Sequence, residues 1–293
     1  MKIKSRIRAL GNIKILFSVG GLGNQLFILN FAHVLAIQQN CKVVIFNNWH
    51  LKVPNRPFEL DKALKNCKHE IKVVDNVLFY NFSRLIVKFC VKFRIYKLNR
   101  FYFSDLNNSS HTRFNSYILF SGYFQNTANF PIPSNFLIEL IHAINDFVLE
   151  KSLSAIISRQ FQCVHLRRGD YLEHKSTFGV LETSYFMSQI RSDLPCVVAS
   201  EEDPAFFKAL LSSKSKITVL PKQMSSWELL YVFSKAECFF GSNSTLSFWA
   251  AKLVSINNGF ATLPSEWFKN HPLYVPNLYD KEITYLQPVW VKN

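Results

Sequence analysis

Glycine is scarce in this chain: nine residues in 293, against 28 phenylalanines. Glycines that cluster in such a sequence mark places where the backbone itself is needed. Other absences narrow the class. No run of 18 apolar residues occurs, so no helix is expected to span a membrane. The six cysteines, Cys41, Cys67, Cys90, Cys163, Cys196 and Cys238, form no Cys-x-x-Cys pair. They read as reduced core residues rather than a disulfide framework or a metal clasp. No zinc-finger spacing and no aromatic signature for single strands is present, so nucleic acid is not an expected partner. No Asp-x-Asp pair exists to clamp a metal. No internal repeat or low-complexity tract stands out.

What is present is a globular composition. The chain is 48% hydrophobic and 18% charged, which excludes wholesale disorder, and its length suits one large domain or two ordinary ones. A net charge of +14 suits phosphorylated small molecules or an anionic membrane surface. Met1 to Leu10 is basic, but Ile13 to Val19 is short for a signal-peptide core and contains Lys14. The expectation is a cytoplasmic protein. Asn76 to Phe103 carries Arg84, Lys88, Lys92, Arg94, Lys97 and Arg100 and no acidic residue. That stretch reads either as a helical cap with a solvated face or as a patch resting peripherally on the inner membrane surface.

Periodicity organises the rest. Ile13 to Val19 reads as a buried strand, Asn24 to Gln39 as a helix and Lys42 to Phe46 as a second strand, which is a βαβ unit with a parallel sheet. A second alternation begins near Glu150. Strands are expected at Phe161–Leu166, Cys196–Ser200, Ile217–Leu220 and Cys238–Gly241. Helices are expected at Ser184–Arg191, Pro204–Ser212, Ser226–Ser234 and Ser244–Leu253. The pattern is doubly wound, and the expected domains are residues 1–150 and 151–293.

Four segments carry chemistry. Gly20-Gly21-Leu22-Gly23-Asn24-Gln25 places glycines between a strand and a helix, where a ligand can approach the backbone and two amides stand beside it. It is not a full dinucleotide fingerprint, because Leu26 stands where glycine is wanted. Val164 to Tyr171 ends an apolar strand with His165, Arg167, Arg168, Gly169 and Asp170. The alternation of a strand puts His165 and Arg167 on one side and Arg168 on the other. One arginine can hold a diphosphate with its fork, and the other can pair internally, with Asp170 the nearest candidate partner. Gly241 to Ala251 opens an apolar helix with Ser242, Asn243, Ser244 and Thr245, more polar residues than a cap requires. Ser121 to Gln125 adds Tyr123 and Gln125 near a turn.

Together the segments Gly-Gly-Leu-Gly-Asn-Gln at 20–25, Gly-Tyr-Phe-Gln at 122–125, His-Leu-Arg-Arg-Gly-Asp-Tyr at 165–171 and Asn-Ser-Thr-Leu-Ser-Phe-Trp-Ala-Ala at 243–251 resemble the bacterial α-1,2-fucosyltransferases, in the same order and at similar spacing. Ala199 to Glu202 resembles the family's Ser-Asp-Asp strand end, and Leu263 to Phe268 its Pro-x-x-Trp-Phe. The family's Ser-Ser-Phe-Ser-Trp-Trp is Ser244 to Trp249 here, with Thr and Phe replacements that keep a hydroxyl and a ring. The resemblance runs from about Ile15 to Phe268.

It implies an α/β, GT-B-like fold with two Rossmann-like doubly wound domains facing a cleft. The N-terminal domain would face the acceptor and the C-terminal one would bind the donor. The implied reaction is inverting transfer of L-fucose from GDP-fucose to the 2-hydroxyl of a galactoside, as part of a glycan or lipid-linked oligosaccharide. Neither a cofactor nor a metal is expected. Arg167, His165 and Asp170 would be the catalytic group, with the base unassigned. Gly21, Gly23, Asn24, Gln25, Arg168, Tyr171, Glu201, Ser244, Thr245, Tyr123 and Gln125 would contact substrates, and Glu201 would meet the nucleotide base. Other linkages, α-1,6 or protein O-fucosylation, and a non-catalytic sugar-nucleotide binder remain as alternatives. A Rossmann oxidoreductase is disfavoured by the incomplete fingerprint.

Overall fold

The computed structural model describes residues 13–65, 67, 70–78, 80–82, 85, 102–104, 117–149, 160–201, 215–270 and 278–291. The chain forms two compact units, Met1–Leu140 and Ile141–Asn293. The division falls inside a continuous helix, α3 (Ser134–Leu149).

The first unit is a parallel sheet of β1 (Ile13–Phe17), β2 (Lys42–Phe46), β3 (Ile71–Val74), β4 (Tyr102–Ser104) and β5 (Leu119–Ser121), in the order β3-β2-β1-β5-β4. β1 pairs in register from Ile13–Lys42 to Phe17–Phe46. Between β1 and β2 runs α1 (Leu22–Gln39), with a short helix α2 (Asp61–Lys65) beyond β2. Leu22 to Ala36 of α1 is buried apart from Asn24, so this is a core helix rather than an amphipathic surface one. It ends at Asn40, whose left-handed backbone (φ 45°) closes the last turn on the Ala36 carbonyl. Phenylalanine fills the space around it: Phe31 stacks on Phe124 at 4.0 Å and meets Phe120 and Phe130 edge-on.

The second unit is a six-stranded parallel sheet: β6 (Gln162–Leu166), β7 (Cys196–Ser200), β8 (Ile217–Val219), β9 (Cys238–Phe240), β10 (Phe260–Pro264) and β11 (Thr284–Leu286). Its order is β11-β10-β9-β6-β7-β8. Counted from β6, this is the 3-2-1-4-5-6 order of the dinucleotide-binding fold, and the winding reverses between β6 and β9. The described helices are α4 (Gly169–Glu173), α5 (Thr183–Met187), α6 (Ser226–Ser234) and α7 (Thr245–Ile256). α6 starts on a full capping box made by Ser225 and Glu228. α7 lies close against β9 because Gly241 has no side chain. A Cβ there would come within 2.6 Å of Leu263 and 2.9 Å of Ser247. Trp249 of α7 is fully buried, and its truncation to Ala would cost about 3–5 kcal/mol.

Several elements differ from expectation. The helix expected to reach Arg191 stops at Met187, and the glycine-loop helix begins two residues early, at Leu22. β3, β4, β5, β10, β11 and α3 were not expected; all but β10 and α3 are strands of three or four residues, too short to show alternation. The helix expected at 204–212 and all six cations from Arg84 to Arg100 lie outside the described residues. Cys41, Cys163, Cys196 and Cys238 are buried thiols, and Cys67 is half-buried.

Candidate active site

In parallel α/β sheets, ligands bind beyond the carboxyl ends of the strands where the winding reverses. Each unit has one such point, and the sequence motifs fall on both.

In the second unit the point lies between β6 and β9. Arg167 follows β6, and Ser242, Asn243 and Ser244 follow β9. The two loops are tied together. The Arg167 backbone N–H donates to Ser242 Oγ at 3.2 Å, and the Tyr171 hydroxyl donates to the Asn243 carbonyl at 3.1 Å. Asn243 is buried and gives its amide protons to the carbonyls of Phe178 and Trp267, so it braces the loop.

Arg167 has a defined geometry. Its Nη2 donates to Asp170 Oδ1 at 2.6 Å, and its Nη1 bonds Glu201 Oε1. Its guanidinium lies 5.5 Å from the Tyr171 ring centre, and that ring is itself stacked on Phe178. Gly169 makes room for this pairing, because a Cβ there would collide with Glu201. The structure thus places Asp170 on Arg167. Glu201, expected at a nucleotide base, also reaches that guanidinium. Both carboxylates are more than 40% exposed, and exposed pairs of this kind contribute about 0–1 kcal/mol each. An incoming anion can therefore displace them at little cost.

His165 lies deeper. It is buried at the end of β6, its Nδ1 is 2.7 Å from Ser247 Oγ, and its ring packs near Phe233. Burial, and then the charge of Arg167, lower its pKa from 6.5 to about 3. It is a neutral brace between β6 and α7, unsuited to serve as acid or base at neutral pH. Arg168 is half-buried and is the N-cap residue of α4. Ser244 is the N-cap residue of α7, yet its side chain makes no capping bond. Thr245 follows it, half-buried, at the first helical position. The first-turn N–H groups of α7 have no intrahelical acceptor and favour an anion.

In the first unit the reversal lies between β1 and β5, and the glycine loop and the 122–125 segment meet there. Gly20 has φ +80°, and the Asn24 side chain fills the space a Cβ would need. Gly21 is the N-cap residue of α1, and Gly23 is buried in its first turn. Gln125 Nε2 donates to Asn24 Oδ1 at 2.9 Å, which orients that amide with its NH2 as the remaining donor. Phe124 adopts φ +55°, rare for a bulky residue; its stack on Phe31 holds it there and turns Gln125 inward. Gln25, expected at a ligand, is committed elsewhere. Its Nε2 donates to the Gly20 and Pro57 carbonyls, and its Oε1 accepts from Glu59 N–H.

Two residues here were not anticipated. Arg56 lies against the glycine turn, with Nη1 3.2 Å from where a Gly21 Cβ would stand. His50 is buried and holds the Arg56 carbonyl through Nδ1 at 2.6 Å and Ser18 Oγ through Nε2 at 2.9 Å. No local motif marks either one. Among the described residues, the trio His33, Cys67 and Glu139 brings three metal-type donor atoms within 4.8 Å of one another. It includes none of the loop residues above.

Two α/β units, each built on a parallel sheet, make a GT-B-like fold. The chain belongs to glycosyl transferase family 11, whose model matches residues 13–287. The O-antigen biosynthesis glycosyltransferase WbnK of Escherichia coli is 26% identical over 285 residues, 85% of this chain and 93% of the relative. A GDP complex of a mutant FUT1 from Arabidopsis thaliana matches 89% of this chain and 74% of its own, at 12% identity and a TM-score of 0.50. The α-1,6-fucosyltransferase NodZ, crystallised with GDP, matches 83% and 93% at 12% identity and a TM-score of 0.48. At 12% identity the likeness to the Arabidopsis structure is one of fold alone.

Proposed function

We propose that this glycosyltransferase moves L-fucose from GDP-fucose to the 2-hydroxyl of a galactoside, with inversion and without a metal. The observation that carries the reading is Arg167, held at the carboxyl end of β6 beside the hydroxyl-rich start of α7. GDP-fucose is β-linked, so an α product follows from in-line attack by the acceptor oxygen on C1 as the diphosphate leaves. The transition state is oxocarbenium-like, as in other glycosyl transfers, and negative charge gathers on the diphosphate. The Arg167 fork, the hydroxyls of Ser244 and Thr245, and the α7 N-terminus supply donors for that charge. Asp170 and Tyr171 orient the fork. The motif resemblance supports fucose as the sugar, and the GDP bound to the Arabidopsis FUT1 neighbour supports the nucleotide. The E. coli relative supports a role in surface polysaccharide assembly.

The test is incubation with GDP-fucose and a panel of β-galactosides in EDTA, with the product linkage read by NMR. A fucosyl α-1,2 product is expected. Transfer to another position revises the linkage, and loss of activity in EDTA that Mn²⁺ restores overturns the metal-free mechanism.

A further inference from the structure

The first unit spends unusual effort on one surface loop. Residues 53–59 leave the short 3-10 turn at His50–Lys52, and hydrogen bonds from buried side chains fasten them. Gln25, which is fully buried, donates from Nε2 to the Pro57 carbonyl and accepts at Oε1 from Glu59 N–H. Another bond comes from buried His50 to the Arg56 carbonyl, and one runs from Arg56 N–H to the Val53 carbonyl. His50 keeps this role because burial lowers its pKa. The carbonyl fixes Nδ1 as the protonated nitrogen, and Nε2 accepts from the Ser18 hydroxyl. Buried polar side chains are costly unless they are satisfied, and here two are satisfied by one loop. The result is a guanidinium settled on the glycine turn, in the room that Gly21 leaves.

The surroundings of Arg56 define what it can bind. Tyr123 is close enough to feel its charge, and burial nevertheless pushes the phenol's pKa up, so its O–H stays a donor. Asn24 presents its NH2, since Gln125 occupies its oxygen. Arg56, Tyr123 and Asn24 are thus a donor-rich group, and neither they nor Gln125 is acidic. An aromatic ring within reach of an arginine's charge suits a sugar, whose apolar face can lie on the ring while its oxygens meet the donors.

We propose that Arg56 and Tyr123 form the acceptor subsite and set acceptor specificity, the fork of Arg56 receiving vicinal hydroxyls of the accepting sugar. His50 is a positioning residue that acts through Arg56. The proposal rests on the reading that the second unit's arginine takes the donor.

Steady-state kinetics on Arg56→Gln, Arg56→Lys and Tyr123→Phe separate the substrates. Loss of hydrogen bonds to a charged group corresponds to roughly tenfold or more, so Arg56→Gln should raise acceptor KM by that factor. Lys should recover only part, and Tyr123→Phe should change it less. Donor KM and GDP affinity by calorimetry should stay at wild-type values. His50→Gln should raise acceptor KM in the same sense, with the fold checked by thermal melting. A rise in donor KM or weakened GDP binding in Arg56→Gln would overturn the proposal by placing the fork on the diphosphate. An unchanged acceptor KM would make it an ordinary surface cation. Saturation-transfer NMR of β-galactosides with the unreacted protein needs no turnover, so it tests the subsite even if the donor is not GDP-fucose. Signal in wild type that Arg56→Gln abolishes supports the subsite, and signal retained in Arg56→Gln, or absent from wild type, sinks it.

Discussion

The loop after β1 and the loop after β6 occupy the same place in their sheets, yet they are built from different chemistry. The first is made of amides, glycines and one arginine supplied from a distant segment. The second concentrates charge: Arg167 between Asp170 and Glu201, beside a row of hydroxyls. Amides hold neutral, oxygen-rich groups without a strong preference for charge, whereas an arginine fork at a helix start selects a diphosphate. Under the proposed function, the two reversal points divide the substrates between them, the charged one taking the donor.

The sharpest way to break this contrast is Arg167→Lys. Lysine keeps the charge and loses the planar fork. Removing such a donor at a developing anion typically costs about 10²–10³ in rate, and kcat with GDP-fucose should fall by that order. A variant with half the wild-type rate would move the diphosphate to Arg168.

His165 supplies the next effect, on stability rather than rate. The folded protein keeps it neutral down to about pH 3, while the unfolded chain takes up the proton near 6.5. Its contribution is therefore complete above about pH 6.5 and is lost as pH falls toward 3. At pH 5 the loss is about 2 kcal/mol, at roughly 1.36 kcal/mol per pH unit below 6.5. Thermal melts at pH 7 and 5 should show the drop, and His165→Asn should flatten it. An equal drop in the variant would assign acid sensitivity to other groups.

Gln125→Leu tests the amide side. It frees the Asn24 amide to rotate, and turnover should fall on the order of tenfold, less than the 10²-fold that a ~1 Å misplacement can cost. GDP affinity should be unchanged, because the second unit is untouched; a weakened affinity would blur the division of labour. Smallest is Glu201→Gln. With one exposed competitor for the fork removed, GDP should bind a few-fold more tightly, consistent with a pair contributing about 0–1 kcal/mol. Weaker binding would restore Glu201 to the nucleotide base.

Much of this was legible in the sequence because the motifs are local. Glycine turns, the arginine pair and the hydroxyl run lie within a few residues of a strand end, and the structure puts them at the two reversal points. The Arg167–Asp170 pair spans three residues and could be anticipated. The Arg167–Glu201 pair spans 34 residues, and the Gln125–Asn24 bond spans 101, so neither leaves a local pattern. Gln25 misled because its amide reads as a ligand contact, and only the position of the 56–59 loop shows that it is spent. Arg56 was invisible because nothing in Val53 to Glu59 distinguishes one surface arginine from another.

The pairing of Arg167 with Asp170 and Glu201 bears on the end of the catalytic cycle. When a nucleoside diphosphate departs, a lone arginine is left with an unsatisfied charge and holds the product back. Arg167 instead has two carboxylates within reach, so the spent nucleotide is exchanged for partners the protein already owns. Under the proposed function, release of the nucleoside diphosphate becomes a swap of one anion for another.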